Sequence, residues 1–132
     1  MAKFSKLLVL DTSVLIDCRR DHADAVAFML GLVNNNVAGI HPVCAAEMLD
    51  GVLDQADMRR TIQFLGAFKR VLVKPADFER CLSLMSQIRL SHGVGWADCL
   101  IAATCIRLQL PLVTINDKHF RAIRGLRIIR PY

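Results

Sequence analysis

Aromatic side chains are scarce: Phe, Trp and Tyr together make up 6% of the 132 residues. A stacking platform for many unpaired bases needs several exposed rings, so that mode of nucleic-acid recognition does not dominate here. Paired cysteines are missing too. The five cysteines (Cys18, Cys44, Cys81, Cys99, Cys105) are odd in number and never form Cys-x-x-Cys. A disulfide framework and a zinc-ribbon site therefore drop out. Their apolar neighbours read as those of buried free thiols in a reducing cytosol. Long apolar runs are also absent. Lys3 and Lys6 precede Leu7-Leu8-Val9-Leu10, but Asp11 ends that stretch far short of a signal-peptide core, and no run approaches a bilayer span. The expectation is a soluble, cytoplasmic protein that makes no use of a membrane.

Acid is in the minority as well. Lys and Arg number 17 against 12 Asp and Glu, a formal charge of +5. That balance suits a polyanionic partner, although many basic proteins bind no nucleic acid. No repeat, low-complexity tract or linker interrupts the chain. With 54% apolar and 22% charged residues it reads as one globular domain over residues 1–132.

Strand-like and helical segments alternate. Short apolar or extended runs fall at 7–10, 37–41, 70–73, 111–114 and 126–129. Helical patterns fall at 13–18, 23–33, 42–53, 56–67, 76–90, 95–108 and 117–123, with Pro42 suited to a first helical turn. Connections too long for hairpins point to an α/β fold: a three-layer α/β/α sandwich around a central, mostly parallel sheet of four to five strands.

Several acids stand where such a fold buries its core. Asp11 ends the run Leu8-Val9-Leu10, at the carboxyl end of a strand, where open α/β sheets bind ligands. Capping of the next helix explains it equally well. Glu47 lies mid-helix, and helical spacing puts Asp50 and Asp54 on its face; a solvated acidic face suffices for those two, while Glu47, flanked by Ala46 and Met48, is the better candidate. Asp98 opens Trp96-Ala97-Asp98-Cys99-Leu100-Ile101-Ala102-Ala103, apolar enough to be central, where a carboxylate is costly without a partner. As third residue after a Gly95 cap, it could instead cap back on the helix start. Asn116 and Asp117 follow the fourth strand and serve either as turn and cap residues or as further oxygen donors at the same sheet edge. Each alternative is adequate alone. Their joint occurrence at adjacent strand ends favours a site.

Carboxylates gathered in one crevice raise one another's pKa unless a cation neutralises them. Oxygen donors select Mg²⁺ or Mn²⁺, which keep waters and share coordination with phosphate. Such a centre hydrolyses phosphodiesters and leaves a 5′-phosphate and a 3′-hydroxyl.

Taken in order, Leu10-Asp11-Thr12-Ser13-Val14-Leu15-Ile16-Asp17, Glu47, Ala97-Asp98-Cys99-Leu100-Ile101-Ala102-Ala103, Thr114-Ile115-Asn116-Asp117-Lys118-His119-Phe120 and the closing Gly125-Leu126-Arg127-Ile128-Ile129-Arg130-Pro131-Tyr132 resemble the PIN-domain toxins of type II toxin–antitoxin operons, the VapC group. The resemblance implies a parallel-sheet α/β/α fold, endoribonuclease activity with Mg²⁺ or Mn²⁺, and a VapB-type antitoxin that blocks the site. It assigns Asp11, Glu47 and Asp98 to the metal and leaves the fourth position to Asn116, favoured by spacing, or Asp117, reaching through water. Thr12, Ser13 and Thr114 become supporting hydroxyls, though helix capping would also explain them.

Phosphate contacts would come from Arg19, Arg20, Lys118 and Arg121, with Arg124, Arg127 and Arg130 further along; any one of them is otherwise a solvated surface charge. His119 is a tempting acid–base group, but an imidazole in a turn is more often a surface or packing residue. Apolar surface on 42–53 and 56–67 beyond what a core needs suits an antitoxin helix or the contact of a homodimer. Rival classes fit less well. A receiver domain wants an Asp after the third strand, where Lys74 and Pro75 stand, and a haloacid-dehalogenase-like phosphatase wants Asp-x-Asp where Asp11-Thr12-Ser13 stands. A PIN-like module that binds RNA or a partner without cutting is the alternative, and intact acids argue against it. A metal-free histidine nuclease would leave a cyclic phosphate.

Overall fold

A computed structural model describes residues 6–132; Lys3 lies outside the described residues. Leu8–Leu10 (β1), Ala38–Ile40 (β2), Lys69–Arg70 (β3), Leu112–Val113 (β4) and Ile128–Ile129 (β5) form one sheet in the order β3-β2-β1-β4-β5, parallel throughout. The helices are Thr12–Arg19 (α1), Ala23–Asn34 (α2), Pro42–Asp50 (α3), Gln55–Leu65 (α4), Pro75–His92 (α5), Trp96–Leu108 (α6) and Asp117–Phe120 (α7). The expected α/β/α sandwich is present, and its sheet is wholly rather than mostly parallel.

The strand order fixes the layers. From β1 the chain steps through β2 to β3 in one direction; from β4 it steps to β5 in the other. Right-handed crossovers then put α1–α4 on one face and α5–α7 on the opposite one. Packing agrees: α1 lies against α2 and α3, α3 against α4, and α6 against α5 and α7. The point where the two directions diverge is the gap between β1 and β4, the position at which open α/β sheets form a ligand crevice.

Burial explains the elements. Leu8, Val9, Leu10, Leu112 and Val113 are all buried, as strands covered on both faces require. In α6 every residue from Cys99 to Cys105 is buried, so this helix is central. Gly93 ends α5 with φ +67°, a left-handed turn that a side chain would strain. Among the described residues no helix is long and apolar enough to cross a membrane.

Of the expected boundaries that move, two bear on the site. The third strand, placed at 70–73, is Lys69–Arg70. Val71 N still donates to Ile40 O, but the Leu72 carbonyl is taken by the Arg107 guanidinium at 2.6 Å, and Pro75 then starts α5. The helix expected over 42–53 stops at Asp50 with Gly51 as its cap. Asp54 therefore leaves the Glu47 face and caps α4 instead, accepting from Asp57 N at 2.7 Å.

One polar chain crosses the core. His41, at the end of β2, accepts from Val43 N through Nδ1 (3.0 Å), which leaves Nε2 to donate to Thr104 Oγ1 (3.0 Å). The Thr104 hydroxyl lies 3.1 Å from Asp77 Oδ2, and Arg107 donates to both Asp77 oxygens at 2.7 and 3.0 Å. His41, Thr104 and Asp77 are each at most 1% exposed. Buried polar groups of this kind are tolerated only when satisfied, and these are.

Candidate active site

The site is built at the β1/β4 divergence. Register pairs Leu10 with Val113, so the next residues, Asp11 and Thr114, emerge side by side. Thr114 Oγ1 donates to Asp11 Oδ2 at 2.8 Å, and Ser13 Oγ donates to the same oxygen at 2.9 Å. Asp11 occupies the cap position of α1 but makes no side-chain capping bond. Helix capping, which the sequence allowed, is not what its carboxylate does. Thr114 also receives the Asn116 N–H at 3.0 Å, which shapes the turn into α7.

Glu47 projects from α3, which packs on α1, and its Oε1 accepts from Thr12 Oγ1 at 2.9 Å. Thr12 is thus a clamp on Glu47 as well as the first residue of α1. Asp98 is the third residue of α6, but Gly95 receives no side-chain cap; Asp98 Oδ2 meets His119 Nδ1 at 3.2 Å instead. The imidazole read from sequence as a surface or packing group is therefore a neighbour of the site. No spacing rule could have joined residues 98 and 119, because α7 reaches α6 only through the fold.

The electrostatics tie the three acids together. Partial burial pushes the Glu47 carboxyl above its usual range, repulsion from Asp11 and Asp98 adds to this, and the Thr12 hydroxyl opposes it. Burial raises Asp98 likewise, with Asp11 adding and His119 opposing. Repulsion of Glu47 by both aspartates, and of Asp98 by Asp11, marks a negative cluster that a nearby cation would stabilise.

Each acid also has one oxygen held and one open. Asp11 Oδ2, Glu47 Oε1 and Asp98 Oδ2 carry the bonds described; Asp11 Oδ1, Glu47 Oε2 and Asp98 Oδ1 accept none among the described residues. Among the described residues no buried side-chain oxygen lacks a partner, so the open oxygens of Asp11 and Asp98 touch solvent. Asp117 differs. Its two oxygens are taken by Arg130 (2.8 Å) and Arg121 (2.6 Å), and this pairing holds its carboxyl below the usual range. Asn116 precedes α7, is exposed, and makes no side-chain capping bond.

The donor set fits a hard divalent cation. Among the described residues no three His, Cys, Asp or Glu side chains are already gathered as a metal cage. Mg²⁺ does not require one: it keeps several waters and uses one or two carboxylates directly. The open oxygens of Asp11, Glu47 and Asp98 meet that need.

Cations for phosphate are unevenly available. Arg19 is tied to Asp57 at 3.1 Å and lies over the Phe64 ring, and Arg121 is tied to Asp117. Arg20 and Lys118 are exposed and make no side-chain hydrogen bond among the described residues. A groove of about 500 Å³ between α1 and the α3–α4 turn runs from Arg19 and Arg20 past Ile16 and Leu53 to Glu47.

Comparison with known proteins supplies a family. Residues 8–126 match the family model described as PIN domain. A protein of Mycobacterium tuberculosis named Ribonuclease VapC10 is 30% identical, the match covering 92% of this chain and 91% of that one. Among solved structures, a toxin-antitoxin complex from Klebsiella pneumoniae is similar at 25% identity and a TM-score of 0.76, over 95% of this chain and 98% of the other. VapBC2 from Rickettsia felis, bound to a DNA fragment from its promoter, shares the fold with a TM-score of 0.78 at 22% identity, over 93% of this chain and 97% of that one.

Proposed function

The chain belongs to the PIN-domain family, in its VapC branch, and on that premise we propose that it is a Mg²⁺- or Mn²⁺-dependent endoribonuclease, the toxin of a type II toxin–antitoxin pair. The observation that carries this reading is the trio Asp11, Glu47 and Asp98, far apart in sequence: each keeps one oxygen open near the sheet's divergence, and the two aspartates raise Glu47 while Asp11 raises Asp98.

When bound, the cation neutralises phosphate charge and lowers the pKa of an attacking water. The protein's own task is placement. Asp11 and Asp98 would hold the cation, with Glu47 as third ligand. Ser13 and Thr114 fix Asp11, and Thr12 fixes Glu47, so that neither carboxylate must reorganise when RNA arrives. His119 does the same for Asp98. Asn116, at the turn held by Thr114, is the fourth polar group at this edge. Asp117, clasped by Arg121 and Arg130, serves as an electrostatic anchor for those arginines rather than a ligand. Arg20 and Lys118 are the cations available to the RNA backbone.

The groove ending at Glu47 is the seat we assign to a segment of a VapB-type antitoxin, which would block the acids by lying across them. Support comes from its mixed lining of Ile16, Leu53 and arginine, and from the solved toxin–antitoxin complexes that share the fold. The exposed Leu53 and Ile62 further suit a homodimer or that partner. A cytoplasmic location suits five free, buried thiols.

The test is cleavage of RNA with and without divalent metal. Product is expected with Mg²⁺ or Mn²⁺, none in EDTA, and the new ends should be 5′-phosphate and 3′-hydroxyl. Cleavage that persists in EDTA and leaves 2′,3′-cyclic phosphates would overturn the mechanism.

A further inference from the structure

Four buried polar residues have no part in the chemistry described so far, Thr61, His41, Thr104 and Asp77, and the last three are joined in one chain. We propose that His41 and Thr104 are positioning residues, whose buried hydrogen bond, anchored through Asp77 on Arg107, fixes the helix that carries Glu47 relative to the helix that carries Asp98. The inference rests on the ribonuclease reading above.

The placement argues for it. His41 caps α3 six residues before Glu47, and Thr104 stands on α6 six residues after Asp98. At 1.5 Å per residue each acid lies about 9 Å along its helix from the link. A rotation of one helix about that point is therefore felt at the acids. Among the described residues, His41 to Thr104 is the only side-chain hydrogen bond that joins α3 or its cap to α6. Glu47 is otherwise tied to α1 through Thr12, and Asp98 to α7 through His119. Without the link, the two halves of the site are held by different layers of the sandwich.

The Val43 N–H can only donate, so Nδ1 must accept and Nε2 must carry the proton toward Thr104. Thr104 then has one proton to give, and the Asp77 carboxylate is a stronger acceptor than the Leu100 carbonyl at the same 3.1 Å. Every bond in the chain has a fixed direction. Valine at 104 would fill nearly the same space but leave the buried His41 Nε2–H without an acceptor, so it breaks the link and also costs stability, which is why a destabilised control is needed.

The experiment measures Mn²⁺ binding to the full chain, without RNA, from the loss of the free-ion electron paramagnetic resonance signal. Thr104→Val should weaken binding roughly tenfold or more, the range seen when a ligand's supporting partner is lost. Thr104→Ser, which keeps the hydroxyl, should restore it. Leu84→Ala serves as a control, because it opens a cavity in α5 away from the link and lowers stability without touching the relay; its Mn²⁺ affinity should equal that of the parent. Parent affinity in folded Thr104→Val overturns the proposal, and so does an equal loss in Leu84→Ala, which would mean that any destabilisation has the same effect. If Thr104→Val does not fold, His41→Asn replaces it, since asparagine can still cap Val43 but is too short to reach Thr104; the same two outcomes decide. A parent protein that binds no Mn²⁺ defeats the ribonuclease reading itself, whereas binding that is indifferent to these variants defeats only the positioning role.

Discussion

Asp98→Asn and Asp11→Asn should each give a folded protein that no longer cleaves RNA. Asparagine is close in size to aspartate and keeps an oxygen for the hydroxyls of Ser13 and Thr114 or for the imidazole of His119. What it removes is the negative charge and an anionic donor for the cation. Loss of a supporting partner costs a metal site roughly 10–100-fold, so loss of a ligand should cost more, bringing activity to background. Stability should move the other way at Asp98. Its carboxyl is raised by burial and by repulsion from Asp11, so its ionised form is disfavoured in the fold, and a neutral residue removes that penalty. Urea unfolding at neutral pH should find Asp98→Asn at least as stable as the parent. A variant that lost activity only because it unfolded would give the opposite stability result.

Acid should weaken the fold through His41. Burial lowers its pKa from 6.5 to about 4, with Asp77 pulling weakly upward. Between these values the unfolded chain takes up a proton that the folded one refuses, so stability rises with pH across this window. Above pH 6.5 the penalty is absent; it grows as pH falls and is complete below about 4. A shift of this size corresponds to on the order of 3 kcal/mol, a large share of a domain's stability. Asp77 contributes separately. Burial works against its charge, but Arg107, Lys74 N and Thr104 outweigh it and hold the carboxyl low, so its loss comes only below 3.8. Glu47 and Asp98, both raised, have the opposite sign and ease with acid. Comparison with His41→Asn isolates the effect. Urea midpoints measured from pH 7.5 to 4.5 should fall more steeply for the parent than for the variant; parallel slopes would show that His41 titrates in both states alike.

Much of the site was legible because its chemistry contradicts its surroundings. Asp11 ends an apolar strand, and Asp98 opens a helix whose next seven residues are all buried. Such acids stand out from the residue pattern alone. Strand and helix order were legible for the same reason, since fully buried strands read as apolar runs. The partners of the acids were not. Thr12 meets Glu47 across 35 positions and Thr114 meets Asp11 across 103, contacts that follow only from the crossover topology. The His41–Thr104–Asp77–Arg107 chain left no mark in the sequence at all, because each member is an ordinary residue at an ordinary cap or helix position. Asp54 misled for a local reason: helical spacing put it beside Glu47, but Gly51 ends α3 and the aspartate is spent on capping α4. The third strand was displaced by a tertiary contact, Arg107 on the Leu72 carbonyl, to which strand propensity is blind.

Anomalous diffraction from crystals soaked in Mn²⁺ bears most directly on whether these carboxylates share an ion. A peak should stand within coordinating distance of the free oxygens of Asp11 and Asp98, with Glu47 turned toward it, and should vanish in Asp98→Asn. Manganese found elsewhere on the molecule, with this crevice holding only water at saturating metal, would contradict a cation-centred nuclease.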